Sequence, residues 1–116
     1  MWLYTTYGFY SVVRHKDRKD CFMVRARDRR HLEDLLTYFW KDHFGDKPVI
    51  NHTPQGDYAY RITVHWRDWI DIVGSLADQT SYENFKNACH DQMNDSDYDY
   101  VLFETWRAAK HGFGVG

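Results

Sequence analysis

Along residues 21–40 the spacing of apolar side chains switches from every second position to every third or fourth, and this switch restricts the fold more than any other feature. Over residues 21–27, Phe22, Val24 and Ala26 alternate with Cys21, Met23, Arg25 and Arg27, the period of a strand buried on one face. Asp28 then offers a helix N-cap. Leu32, Leu35, Leu36, Phe39 and Trp40 follow at i, i+3, i+4, i+7 and i+8, a single helical stripe. A second alternation, Tyr58, Tyr60, Ile62 and Val64 against Ala59, Arg61 and Thr63, predicts a further strand. Strands and an amphipathic helix in close succession bury their apolar sides against one another, so the chain is expected to be α+β.

The remaining segments fit around this frame. Residues 2–14 are rich in aromatic and β-branched side chains, with Gly8 interrupting, and read as one long strand kinked or bulged at that glycine. It is expected to form a hairpin with residues 21–27 across the charged turn 15–20. Gly45, Pro48, Pro54 and Gly56 mark residues 43–57 as a loop, with room for a short extended piece at 49–51. Trp69, Ile70, Val73 and Leu76 predict a second helix, and Ser81 is the expected cap of a third carrying Tyr82, Phe85, Ala88 and Cys89. Tyr98, Val101, Leu102, Thr105 and Ala109 fit a fourth, although the alternation Tyr98, Tyr100, Leu102 also fits a strand over part of 96–109. The expected arrangement is a small antiparallel sheet in the order 2-1-3, with a fourth short strand optional and three or four helices on one face. With 116 residues this is a single domain, 1–111, followed by a flexible Gly-rich tail, 112–116.

Composition limits the function classes. No run approaches the roughly 18 apolar residues of a membrane span, and the N-terminal residues lack the basic and apolar regions of a secretory signal, so the expected location is the cytoplasm. Cys21 and Cys89 stand far apart without a Cys-x-x-Cys spacing, which predicts two reduced, buried thiols. The seven histidines show no ligand spacing, and Asp95, Asp97 and Asp99 fail the calcium-loop pattern, with Tyr100 and Trp106 where Gly and Glu are needed. No metal, cofactor or catalytic constellation is expected. Cys89 and His90 are adjacent and so point to different sides of a helix. Ser11 lies in no nucleophile elbow, and His31, Glu33 and Asp34 read as ordinary exposed helix positions.

Two features favour binding. The chain has nine Tyr, seven Phe and five Trp, 21 aromatics, against 18 Val, Ile and Leu, which leaves amphipathic rings for surfaces beyond the core. Charge is also unevenly placed: residues 14–31 hold eight Lys and Arg with three Asp, whereas residues 91–104 hold five acids and neither Lys nor Arg. Strand alternation sends Arg25, Arg27 and Arg61 to the face opposite the helices. The long first strand adds to that face either Tyr4, Thr6 and Tyr10 or Leu3, Thr5, Tyr7 and Phe9. Guanidinium forks beside rings and hydroxyls suit phosphate and a stacked base. The candidate ligand residues are therefore Arg25, Arg27, Arg61, Tyr7 and Thr5, with Lys86 as an extension of the basic patch. The bland alternative is that the arginines pair with the acidic second half and the rings shield their stems.

The order of several motifs also resembles a family of small stand-alone bacterial and phage proteins. They are Thr5-Thr6-Tyr7-Gly8-Phe9-Tyr10-Ser11-Val12-Val13, Val24-Arg25-Ala26-Arg27 with Asp34-Leu35-Leu36 beyond it, Asp57-Tyr58-Ala59-Tyr60-Arg61, Tyr82-Glu83-Asn84-Phe85-Lys86 and the late Trp106. The resemblance implies an intracellular single-domain protein and carries no established activity and no catalytic residues. The chain departs from it in the loop 43–55 and the acidic stretch after Asp91. The leading expectation is a non-enzymatic module that binds a nucleotide or nucleic acid. Its rival is a protein-interaction module, a regulator or phage counter-defence factor that presents Asp95, Asp97 and Asp99 to a host protein. Self-association as a homodimer is a further possibility.

Overall fold

The computed structural model describes residues 1–41 and 45–114. Asp42, then His43 and Phe44, which open the expected 43–57 loop, and Val115 and Gly116 of the expected tail lie outside the described residues. The chain divides into two compact units, Met1–Ser81 and a second that starts at Tyr82.

The first unit is a five-stranded antiparallel sheet with two helices, an α+β fold as the spacing predicts. Its elements are β1 (Trp2–Tyr4), β2 (Phe9–Arg14), β3 (Cys21–Ala26), α1 (Arg29–Phe39), β4 (Asn51–His52), β5 (Tyr60–His65) and α2 (Trp66–Asp78). The strand order is β1-β2-β3-β5-β4, every neighbouring pair antiparallel. This corrects the expected order. Residues 2–14 are not one strand but two, folded back on each other at residues 5–8, so β1 occupies one edge of β2 and only the other is left for β3. The strand at residues 21–26 is therefore central, and β5 pairs along its second edge.

The reversal at residues 5–8 has a local cause. The Thr5 hydroxyl donates to the Gly8 carbonyl at 2.9 Å and accepts from the Tyr7 and Gly8 amides at 3.0 and 3.1 Å, a side-chain-stapled turn. Gly8 has φ +152°, and a Cβ there would lie 2.3 Å from His31 Cγ, so only glycine fits. His31 in turn accepts the Phe9 amide proton on Nδ1, and the Tyr10 hydroxyl donates to its carbonyl at 2.6 Å.

Helix α1 starts where expected, with Asp28 accepting from the Arg30 amide. Tyr10, Val12, Val24, Ala26, Ile62 and Val64 from the sheet meet Leu32, Leu35, Leu36 and Phe39 of α1 and Trp69 and Ile72 of α2 in one buried core. The helices α1 and α2 both pack on β3 and β5. In the second unit, α3 (Phe85–Met93) packs on α4 (Ser96–Gly112). Asn84, not Ser81, caps α3, its side chain accepting from the Asn87 amide. Residues 96–112 are helical, which resolves the helix-or-strand ambiguity: Asp95 caps α4 by accepting from the Asp97 and Tyr98 amides. Among the described residues no helix is long and apolar enough to cross a membrane.

Candidate anion-binding face

The sheet face turned away from α1 and α2 carries a transverse row of five side chains, one from each strand. Trp2 is the register partner of Ser11, Ser11 of Arg25, Arg25 of Arg61, and Arg61 of Asn51. Alternation explains the row: each of the five is offset by one residue from a position on the opposite face. With neighbouring strands about 4.8 Å apart, the backbone positions of Trp2 and Arg61 are separated by roughly 14 Å.

Its third and fourth members are arginines directly opposite each other, a like-charge pair that an antiparallel ladder ordinarily disfavours. The Arg25 guanidinium donates from Nη2 to Ser11 Oγ at 2.7 Å and lies 4.8 Å from the ring centre of Tyr58. Arg61 donates from Nη1 only to the sulfur of Met23, a weak acceptor, and its buried Nε has no hydrogen-bond partner among the described residues. Both are half-buried, and among the described residues neither has a carboxylate within ion-pair distance. Arg27, at the rim, pairs with Asp57 at 3.2 Å, both side chains being well exposed, and stacks at 4.4 Å on the other occupant of this corner, Tyr58.

Aromatic rings border the row. Trp2 is 71% exposed and meets Phe9 edge-on, while Tyr4 stacks on Phe9 with ring centres 4.4 Å apart. Tyr58 stands next to Phe9 and is only 6% exposed, buried by the two guanidiniums it supports. It belongs to this face and not, as its place in the 58–64 alternation predicts, to the core side. The strand begins at Tyr60, and Tyr58 still belongs to the preceding turn, whose backbone Thr53 holds through the Ala59 and Tyr58 carbonyls.

Of the residues singled out from sequence, Arg25, Arg27 and Arg61 come together on this face. Thr5 and Tyr7 do not join them. Thr5 is buried in the turn it staples, and Tyr7 packs on Tyr38 and Phe39 while its hydroxyl donates to Gln79. Neither expected set of first-strand residues forms: Trp2 and Tyr4 arrive from β1 but Phe9, Ser11 and Val13 from β2, because the turn resets the phase. Lys86 lies in the second unit, its ammonium 4.4 Å from the Trp106 ring centre. There too Asp95, Asp97 and Asp99 have local roles. They cap α4 or sit in its first turn, where carboxylates suit the helix dipole. Asp99 also hydrogen-bonds His90 at 2.6 Å and holds its imidazole pKa above the ordinary value. Sequence reasoning does not find Ser11, Trp2, Asn51 or Tyr58; the Thr5–Gly8 reversal is a signal for the first two, since it sets Trp2 opposite Ser11, while Asn51 and Tyr58 are placed by pairing and a turn around β5. No protein-family model matches the chain, nor does any curated protein or solved structure.

Proposed function

We propose that this protein is a binding module for an anionic ligand, a nucleotide or single-stranded nucleic acid, held on the Arg25/Arg61 row. The observation that carries the reading is the cross-strand arginine pair, which has no carboxylate within ion-pair distance among the described residues. Two half-buried guanidiniums side by side repel each other, and a phosphate between them turns that repulsion into paired, charge-assisted hydrogen bonds. Ser11 and Tyr58 hold Arg25 in place before any ligand arrives. Two strands away, the exposed indole of Trp2 offers a π-face for a base.

The test is a fluorescence titration of the full chain with short single-stranded oligonucleotides at two salt concentrations. Binding should weaken with salt, and an Arg25→Ala/Arg61→Ala variant should lose roughly 1.4 from the log–log salt slope, the share of two phosphate contacts on a single strand. Salt-insensitive binding, or equal binding by the variant, overturns the reading.

A protein-interaction role draws support from a different observation. Tyr100, Phe103 and Trp106 of α4 are large rings at 65%, 48% and 47% exposure, an unusual stripe for a polar helix. On this reading the rings, not the helix-capping aspartates, make the contact. Loss of a stoichiometric protein partner in a Phe103→Glu variant, with oligonucleotide binding intact, favours it.

A further inference from the structure

The basic turn between β2 and β3 stands apart from the arginine row. Arg14 and Phe22 are register partners, and Phe22 packs against the core, so both lie on the helix side of the sheet, opposite Arg25 and Arg61. Together with Lys19, Asp20 and Trp66 they line a wide, shallow surface depression of about 480 Å³.

The pocket has a prebuilt frame. The turn is organised by its own hydrogen bonds: His15 Nδ1 accepts from the Asp17 and Arg18 amides, and the Cys21 amide donates to the Arg18 carbonyl. The first amide of α2, at Trp66, donates to the Asp20 carbonyl at 2.9 Å and ties the helix to the turn. The Asp20 carboxylate accepts from the Cys21 thiol and lies 3.5 Å from His65 Nε2. The Cys21 hydrogen bond is the main cause that lowers its pKa, so it stays ionised. Arg14 and Lys19 have no carboxylate within ion-pair distance among the described residues.

We infer that this pocket is a second binding site, distinct from the arginine row, for a nucleoside monophosphate. Three kinds of group converge there, each matching one part of such a ligand. Arg14 and Lys19 are cations for the phosphate. The Phe22 and Trp66 rings offer apolar surface for the base, the Arg67 guanidinium lying over one face of Trp66 at 5.2 Å from its ring centre. Asp20, an ionised acceptor in the same lining, suits the ribose hydroxyls, the neutral donors that such a ligand carries between phosphate and base. Inorganic phosphate alone gains nothing from the rings and is repelled by Asp20, and a nucleoside alone gains nothing from the two cations.

Isothermal titration calorimetry of the full chain tests the site with adenosine 5′-monophosphate, adenosine, inorganic phosphate and the 2′,3′-dideoxy monophosphate. The monophosphate should bind at least about tenfold more tightly than phosphate or adenosine, and Arg14→Ala/Lys19→Ala should weaken it by about tenfold or more. Asp20→Asn should weaken the ribonucleotide and strengthen the dideoxy analogue, which keeps the phosphate that Asp20 repels and lacks the hydroxyls it accepts from. Arg25→Ala/Arg61→Ala should remove any monophosphate held on the arginine row and leave the site that Arg14→Ala/Lys19→Ala abolishes, which separates the two. Equal affinity for phosphate and monophosphate, tighter ribonucleotide binding by Asp20→Asn, or insensitivity to Arg14→Ala/Lys19→Ala overturns the inference. So does loss of binding only in Arg25→Ala/Arg61→Ala, which moves the ligand to the other face.

Discussion

Arg25 and Arg61 face each other across β3 and β5, two guanidiniums in register with no carboxylate within ion-pair distance among the described residues. Such a pair trades stability for readiness to bind. Replacing Arg61 with methionine keeps the stem that covers the sheet and removes one charge. Arg61→Met should leave stability unchanged or raise it by up to about 1 kcal/mol, because like charges directly opposite are destabilising. Denaturant unfolding measures that, and the same protein should bind oligonucleotide about tenfold more weakly. A clear loss of stability would show that Arg61 is a packing residue whose contacts outweigh the repulsion.

Gly8 lies against the His31 imidazole so closely that no Cβ fits between them. Gly8→Ala should destabilise by about 3 kcal/mol, combining a positive-φ conformation with a Cβ that collides with the imidazole at 2.3 Å. Adding His31→Ala should recover part of the loss in a double-mutant cycle by thermal unfolding, because it relieves the collision and not the backbone strain. Purely additive effects would remove the steric account.

The hydrogen bond from His90 to Asp99 links α3 to α4 and makes the second unit sensitive to pH. Its imidazole pKa is raised, first by that hydrogen bond and then by the charge of Asp99. A raised folded-state pKa stabilises the protonated side: the contribution is fully present below the unfolded histidine value, near 6.5, and is lost as pH rises through the higher folded one. Asp99→Asn should bring the His90 titration, followed by NMR, down toward its ordinary value and flatten this part of the pH–stability curve. An unchanged His90 titration would discard the link.

Both cysteines are buried thiols. Burial, with the nearby Asp99 charge, pushes the Cys89 pKa to about 11, and burial also raises that of Cys21. Neither should react with a disulfide reagent in the folded protein at pH 8, and both should react on unfolding. Rapid labelling of either thiol under native conditions would contradict the burial.

Local geometry was legible in the amino-acid order. Helix α1 and its Asp28 cap, the inward faces of β3 and β5, and the outward turn of Arg25 and Arg61 all follow from period and phase, which each segment carries within itself. Helical residues 96–112 were less clear, because Tyr98, Tyr100 and Leu102 fit both periods until the Asp95 cap selects one. Strand order, the Trp2-to-Asn51 row and the placement of Tyr58 over the arginines were decided only in the folded chain. They depend on which edge each strand finds free. The Thr5 staple and the Gly8–His31 contact fold β1 onto one edge of β2, leaving β3 in the centre with β5 along its other edge. Periodicity says which side of a strand is buried; pairing between distant segments says which residues stand beside one another, and the candidate site consists of such neighbours.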